Sequence, residues 1–182
     1  IENQLKDLTI HLYFSSGPDI EQRLRLGDLD VAVSSRRPQD GQIESLKLHK
    51  ERYAFVASRA LLDEKPFASP SEAGGHILCD SNAELPLFQY FQRAKGSPEL
   101  RFARHRHLGT TAAIHDRVLH GKGVAVLPEY MVSPALETGC LVRLFPDIPL
   151  EEDFFRLLFR ADDPRHRIFE SMAQVMRTRP LK

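Results

Sequence analysis

Residues 119–131 read LHGKGVAVLPEYM: two glycines flank Lys122, and four apolar residues and Pro128 follow. A phosphate-binding loop needs a strand, then G-x-x-x-x-G-K-[ST], then a helix, whereas here the order is helix, glycines, strand. Gly121 and Gly123 therefore read as left-handed residues ending a helix. Lys122 reads as a solvated turn residue, and Val124 to Leu127 as a buried strand. That order makes the second half of the chain an alternation of helices and strands.

Upstream, Thr110 or Thr111 caps a helix running through His120, with Ala113, Ile114 and Val118 toward the core. Before it come a strand in HILCDSN (76–82), a helix near Pro86 to Lys95, the break GSP and a strand in ELRFARHRH (99–107). Downstream, a helix from Glu129 to Glu137 and Gly139 lead into the strand CLVRLFP (140–146).

The first half shows the same grammar. IENQLKDLTIHLYFSS (1–16) reads as the end of a helix running into a strand at Thr9 to Phe14, so the chain is expected to begin inside a domain. In SSGPDIEQRLRLGDLDVAVSS (15–35), Ser16 with Asp19 resembles a capping box, Pro18 suits the first turn, and Ile20 and Leu24 share a face. Gly27 ends that helix, and LDVAV is expected to be a parallel strand covered on both faces, completing a βαβ unit. QIESLKLH and RYAFVAS are two more strands, separated by Lys50 and Glu51. LLDEKPFASPSEAGG (61–75), rich in Pro, Ser and Gly, marks a crossing. FFRLLFR (154–160) is a strand that could return to the first lobe, and Ile168, Met172, Val175 and Met176 mark the buried face of a last helix.

The fold class expected is α/β, with two lobes joined by two crossings: 1–58 plus 159–182, and 59–158. Such a chain has one obvious ligand site, the cleft between lobes.

With 182 residues, 42% apolar and 27% charged, the chain can bury a real core. Basic and acidic residues number 25 each, so no broad positive field attracts a polyanion. No apolar run is long enough to cross a bilayer. Cys79 and Cys140 read as reduced, buried thiols of a cytoplasmic protein; a disulfide between them depends on their separation in space. His105, His107, His115 and His120 raise the question of a metal, but no carboxylate or cysteine at ligand spacing completes a set, and none is expected. There is no G-x-S-x-G elbow, and His76 and Cys79 would point to opposite faces of one strand. No catalytic residue or cofactor is expected.

In parallel α/β sheets, helix starts that follow strand ends line the cleft, and their free amides attract anions. Three such junctions carry hydroxyl or amide side chains: Ser15, Ser16 and Gly17; Ser81 and Asn82; Gly109, Thr110 and Thr111. Each hydroxyl also suits simple capping. Three together favour a ligand with a carboxylate or similar group.

RLRLGDLDVAVSS (23–35), RYAFVASRALL (52–62) and HGKGVAVLPEYMVSPALETGCLVRLFP (120–146) resemble, in order and spacing, the effector-binding domain of LysR-type transcriptional regulators. The resemblance implies two Rossmann-like lobes joined by two crossover strands, like the type 2 periplasmic binding proteins, with an inducer in the cleft. It places the first-lobe effector contact at Ser16 and Gly17, and the second-lobe contacts at Asp80, Ser81, Gly109 and Thr110. It further implies a homodimer or tetramer through this domain, with RFARHRH as an interface or rim strand. DNA would be bound only through a helix-turn-helix not present in these residues. The family's first strand also has no counterpart. Two other readings share the architecture: a solute-binding protein of a transporter, and a bilobal α/β enzyme.

Overall fold

The computed structural model describes residues 9–15, 17–35, 37–39 and 41–179. They form two compact units, one of residues 1–51 and 153–182, the other of residues 52–152. The chain passes between them at 51/52 and 152/153, where the sequence suggested 58/59 and 158/159. Hydrogen bonding explains the difference. Strand β3 (Tyr53–Ser58) pairs with β6 (Val124–Pro128) and β7 (Leu141–Arg143) of the second unit, and β8 (Asp153–Arg160) pairs from its first residue with β2 (Ile43–Glu51).

The second unit is built on a five-stranded sheet, ordered β5-β4-β6-β3-β7, where β4 is Ile77–Asp80 and β5 is Arg104–His107. β5, β4 and β6 run parallel, and β3 is antiparallel to β6 and β7. Every residue of β3 and β6 is buried, as central strands require. Alternation then sorts their side chains between two faces. Tyr53, Phe55, Ala57, Val124 and Val126 meet Phe67, Phe88 and Phe91; Ala54, Val56, Ala125 and Leu127 meet Ile114 and Val118 of α4 (Thr111–Leu119) and Val132 of α5 (Glu129–Glu137). The Phe55 ring lies 5.0 Å from Phe91 and 5.8 Å from Phe88, so the first face is an aromatic cluster. Each such ring removed from water stabilises the unit by roughly 1.5–3 kcal/mol. The α2 helix (Arg59–Glu64), a 3-10 turn (Pro70–Gly75) and the short α3 (Gln89–Gln92) complete the unit. Only one turn of the helix expected from 86 to 95 forms, and only 104–107 of the strand expected from 99 to 107 is paired.

In the first unit, β8 lies between β1 (Val31–Ser34) and β2, antiparallel to both. Leu157 and Phe159 pack on Phe169, Met172 and Ala173 of α6 (His166–Arg177), while Leu158 packs with Leu24 of α1 (Gly17–Leu26) and Ile43. Four expectations are corrected here and in the second unit. Thr9 to Phe14 forms no strand among the described residues, where β1 pairs with β8 alone and antiparallel. Ile168 is 45% exposed, because the buried stripe of α6 is rotated by one residue onto Phe169. On α4 the buried positions are Ile114 and Val118 while Ala113 is exposed, and Cys140, which follows Gly139 in the turn before β7, is exposed rather than buried.

Candidate functional site

In the second unit, the carboxyl ends of the parallel strands β4, β5 and β6 lie side by side, and each leads into the segment that carries its junction residues. Backbone bonds weld two of these ends together. The Leu108 amide donates to the Asp80 carbonyl and the Gly109 amide to the Ser81 carbonyl, each at 2.9 Å. Ser81, Gly109 and Thr110 are thereby brought onto one rim.

Asp80 has a different part from the one expected. Its side chain is fully buried, and its carboxylate accepts from the backbone amides of Ser81 at 2.6 Å, Leu87 at 3.3 Å and Phe88 at 2.9 Å. The carboxylate holds the 81–88 loop in place around itself. Within that loop Leu85 has φ of 51° and Asn82 Oδ1 accepts from the Glu84 amide. The Ser81 hydroxyl reaches Asp80 only weakly, at 3.4 Å, and is half-buried.

Gly109 takes φ of 76°, a left-handed turn that glycine makes without strain. That turn delivers Thr110 in extended conformation as the N-cap of α4, with its Oγ1 accepting from the Ala113 amide at 3.3 Å. The amides of Thr111 and Ala112 lie in the first turn and have no helical carbonyl to donate to, so this exposed helix start offers donors to an anion. Thr110 thus both caps the helix and borders the amides it leaves free.

A fourth junction escaped the sequence reading. β6 ends at Pro128 and α5 starts at once with Glu129, whose amide donates to the Arg52 carbonyl at 2.7 Å and whose carboxylate pairs with Arg143. Search by hydroxyl and amide side chains passed over it, because its first residues carry neither. The general rule that a helix start follows each parallel strand would have found it.

In the first unit, α1 begins at Gly17, while Ser16 lies outside the described residues. Asp19 in the first turn is held below the usual carboxylate range, chiefly by the Ser15 hydroxyl and then by Arg23, whose Nε donates at 3.0 Å. The capping expected of Ser16 lies outside the described residues; Ser15 is the serine that engages Asp19.

Among the described residues no three His, Cys, Asp or Glu side chains are grouped as a metal site would need, and no helix is long and apolar enough to cross a membrane. Burial pushes the Cys79 thiol up, so it is the protonated, unreactive form that packs in the core.

Residues 2–180 match the LysR substrate binding domain family, and the chain belongs to it. The α/β architecture is the type 2 periplasmic-binding-protein-like fold of that family. A curated relative, the glycine cleavage system transcriptional activator of Escherichia coli strain K12, is 28% identical over 132 residues, 72% of this chain and 43% of that protein. The HTH-type transcriptional regulator PtxR of Pseudomonas aeruginosa is 28% identical over 65% of this chain and 38% of its own length. The chain thus spans about two fifths of these relatives. Among solved structures, ArgP from Mycobacterium tuberculosis superposes with a TM-score of 0.81 at 17% identity, covering 97% of this chain and 61% of that one. Full-length LysG from Corynebacterium glutamicum with bound effector Arg gives 0.69 at 20% identity, over 93% of this chain and 58% of that one.

Proposed function

We propose that this chain is the effector-sensing part of a cytoplasmic LysR-type regulator and that it binds a small carboxylate-bearing metabolite. The observation that carries the ligand class is the rim of the second unit, where two parallel strands end in Ser81 and in the Gly109–Thr110 start of α4 with its free amides. Such a rim suits a carboxylate, which accepts from backbone amides at a positive helix pole and from a hydroxyl. Arg is the effector named for LysG, so amino acids belong in the first panel. Gly17, with Ser16 before it, is the contact we assign to the first unit, and Asp80 is assigned the work of holding the loop rather than touching ligand. The chain would act as a homodimer or tetramer, with no catalysis and no cofactor, and would reach DNA through a helix-turn-helix outside these residues. Regulation then follows from differential affinity: an effector that binds one arrangement of the regulator more tightly shifts its population toward that arrangement.

The test is a thermal-shift screen against carboxylates and amino acids. A ligand at 100 times its dissociation constant stabilises the fold by roughly 2.7 kcal/mol, enough to see. The hit is then titrated against Thr110→Val and Ser81→Ala, with Thr110→Ser keeping the cap. Weaker binding in the first two with retained folding supports the rim; unchanged affinity in both removes it.

A further inference from the structure

At the opposite edge of the second unit's sheet, the starts of β4, β5 and β6 surround a hollow of about 290 Å³. Its polar lining is Lys65, His76, Arg104, Arg117 and Lys122, and no acidic side chain contributes. We propose that this hollow binds a phosphate group, as a second ligand site separate from the rim.

Clusters of cations at helix ends often do no more than neutralise terminal carbonyls. Here those carbonyls are already engaged. Lys65 Nζ donates to the Gly75 carbonyl at 2.5 Å, and the amides of Gly121 and Lys122 close the end of α4 by donating to Val118 and Arg117. Among the described residues Arg104, Arg117 and Lys122 are left without a carboxylate. Two buried nitrogens of the lining also lack partners. His76 is 2% exposed and donates Nε2–H to the Pro66 carbonyl at 3.1 Å, so its unpartnered Nδ1 is an acceptor and has no part in holding an anion; Arg117 Nε is a donor with no hydrogen bond. Native structures rarely bury a donor unsatisfied, and for Arg117 Nε a missing anion is one regular explanation.

Three uncompensated charges in a hollow of this size suit a compact, multiply charged oxyanion better than a monocarboxylate, and guanidinium groups pair with phosphate through two parallel hydrogen bonds. The glycines make the approach possible. Gly121 turns with φ of 71°, and a Cβ on Gly123 would come within 2.6 Å of the Cys79 sulfur, so the loop packs directly on β4. No wider side chain at Gly123 would let the 121–123 loop border the hollow in this way.

The experiment is calorimetric titration of the 182-residue chain with inorganic phosphate and, separately, phenyl phosphate, both against chloride at matched ionic strength. Arg104→Glu/Lys122→Glu changes two exposed side chains and should fold normally by circular dichroism. Saturable phosphate binding weakened at least about tenfold in that variant is the expected result, since each lost charged contact is worth about one decade. Tighter binding of phenyl phosphate would mark a phosphorylated metabolite, and tighter inorganic phosphate the free ion; either supports the site. Absence of saturable heat, or equal affinity in the variant, overturns it. Thr110→Val should leave phosphate affinity unchanged, so a failed hollow leaves the carboxylate rim standing, and the reverse.

Discussion

Asp80 carries the sharpest lesson about single residues. The family resemblance, rather than a local pattern, implied it as a ligand contact. In the structure its carboxylate is enclosed by three backbone amides. Whether a carboxylate faces outward or inward depends on the path of a loop eight residues long, and no local pattern encodes that path. Replacing it with alanine strands those amides, and charge-accepting bonds of this kind contribute about 1.5–3 kcal/mol. Asp80→Ala is therefore expected to lose about 2–3 kcal/mol in urea unfolding, and a loss below about 0.5 kcal/mol would show that the loop does not depend on it. Gly123 was legible as a helix-ending glycine, but its contact was not. At φ of 153°, an added methyl would meet the Cys79 sulfur at 2.6 Å and the Ile77 carbonyl at 2.8 Å. Gly123→Ala should cost about 1–3 kcal/mol through this overpacking. Gly139→Ala, where φ of 76° would strain the new residue but nothing lies within 4 Å, is the control that separates strain from collision.

Elements with their own start and stop signals were the ones read correctly. The α4 helix has Thr110 before it and Gly121 after it, and β6 follows as an unbroken apolar run. Their bounds depend on capping and burial that neighbouring residues already state. Elements fixed by a distant partner were not. LDVAV looks like an inner parallel strand, but its register is set by β8, more than a hundred residues away, and is antiparallel. Thr9 to Phe14 has strand-like residues but forms no strand among the described residues, so β propensity alone did not set its conformation. On α6, a period of 3.6 residues tolerates a stripe shifted by one position, so Ile168 was assigned inward where Phe169 is buried. The two give opposite outcomes on truncation. Phe169→Ala should cost about 3–5 kcal/mol and Ile168→Ala well under about 1 kcal/mol, measured by chemical denaturation. Equal losses would mean that the helix is seated in the register expected from sequence.

Over the whole chain, the Pro/Ser/Gly-rich stretch 61–75, read from composition as a crossing, lies inside the second unit, which begins at Arg52. Its edges were misplaced by about six residues, since only hydrogen-bonding partners decide which sheet owns β3 and the start of β8. The first unit also depends on a charged clasp that no motif announces. Asp163, fully enclosed at its side chain, accepts from Arg165 Nη2 at 2.7 Å and Arg160 Nη2 at 2.6 Å, and Arg165 reaches on to Asp30 at 2.8 Å. The end of β8, the approach to β1 and the start of α6 are tied through this one carboxylate. The Arg165 guanidinium, as its largest influence, holds the Asp163 carboxyl down to about 2 from an ordinary 3.8. An acid whose folded value is depressed adds stability above its unfolded value and loses it as pH falls toward the folded one. The clasp should thus contribute on the order of 1–2 kcal/mol at neutral pH and fade between pH 3.8 and about 2. Asp163→Asn keeps the shape and removes the charge, so urea midpoints of the two proteins should differ at pH 7 and converge across that window. Other carboxylates titrate in both proteins alike and cancel in the difference. A gap between the two that stays constant from pH 7 to the acid end would mean that the clasp works through shape alone, and the charge assigned to Asp163 would have no part in holding the first unit.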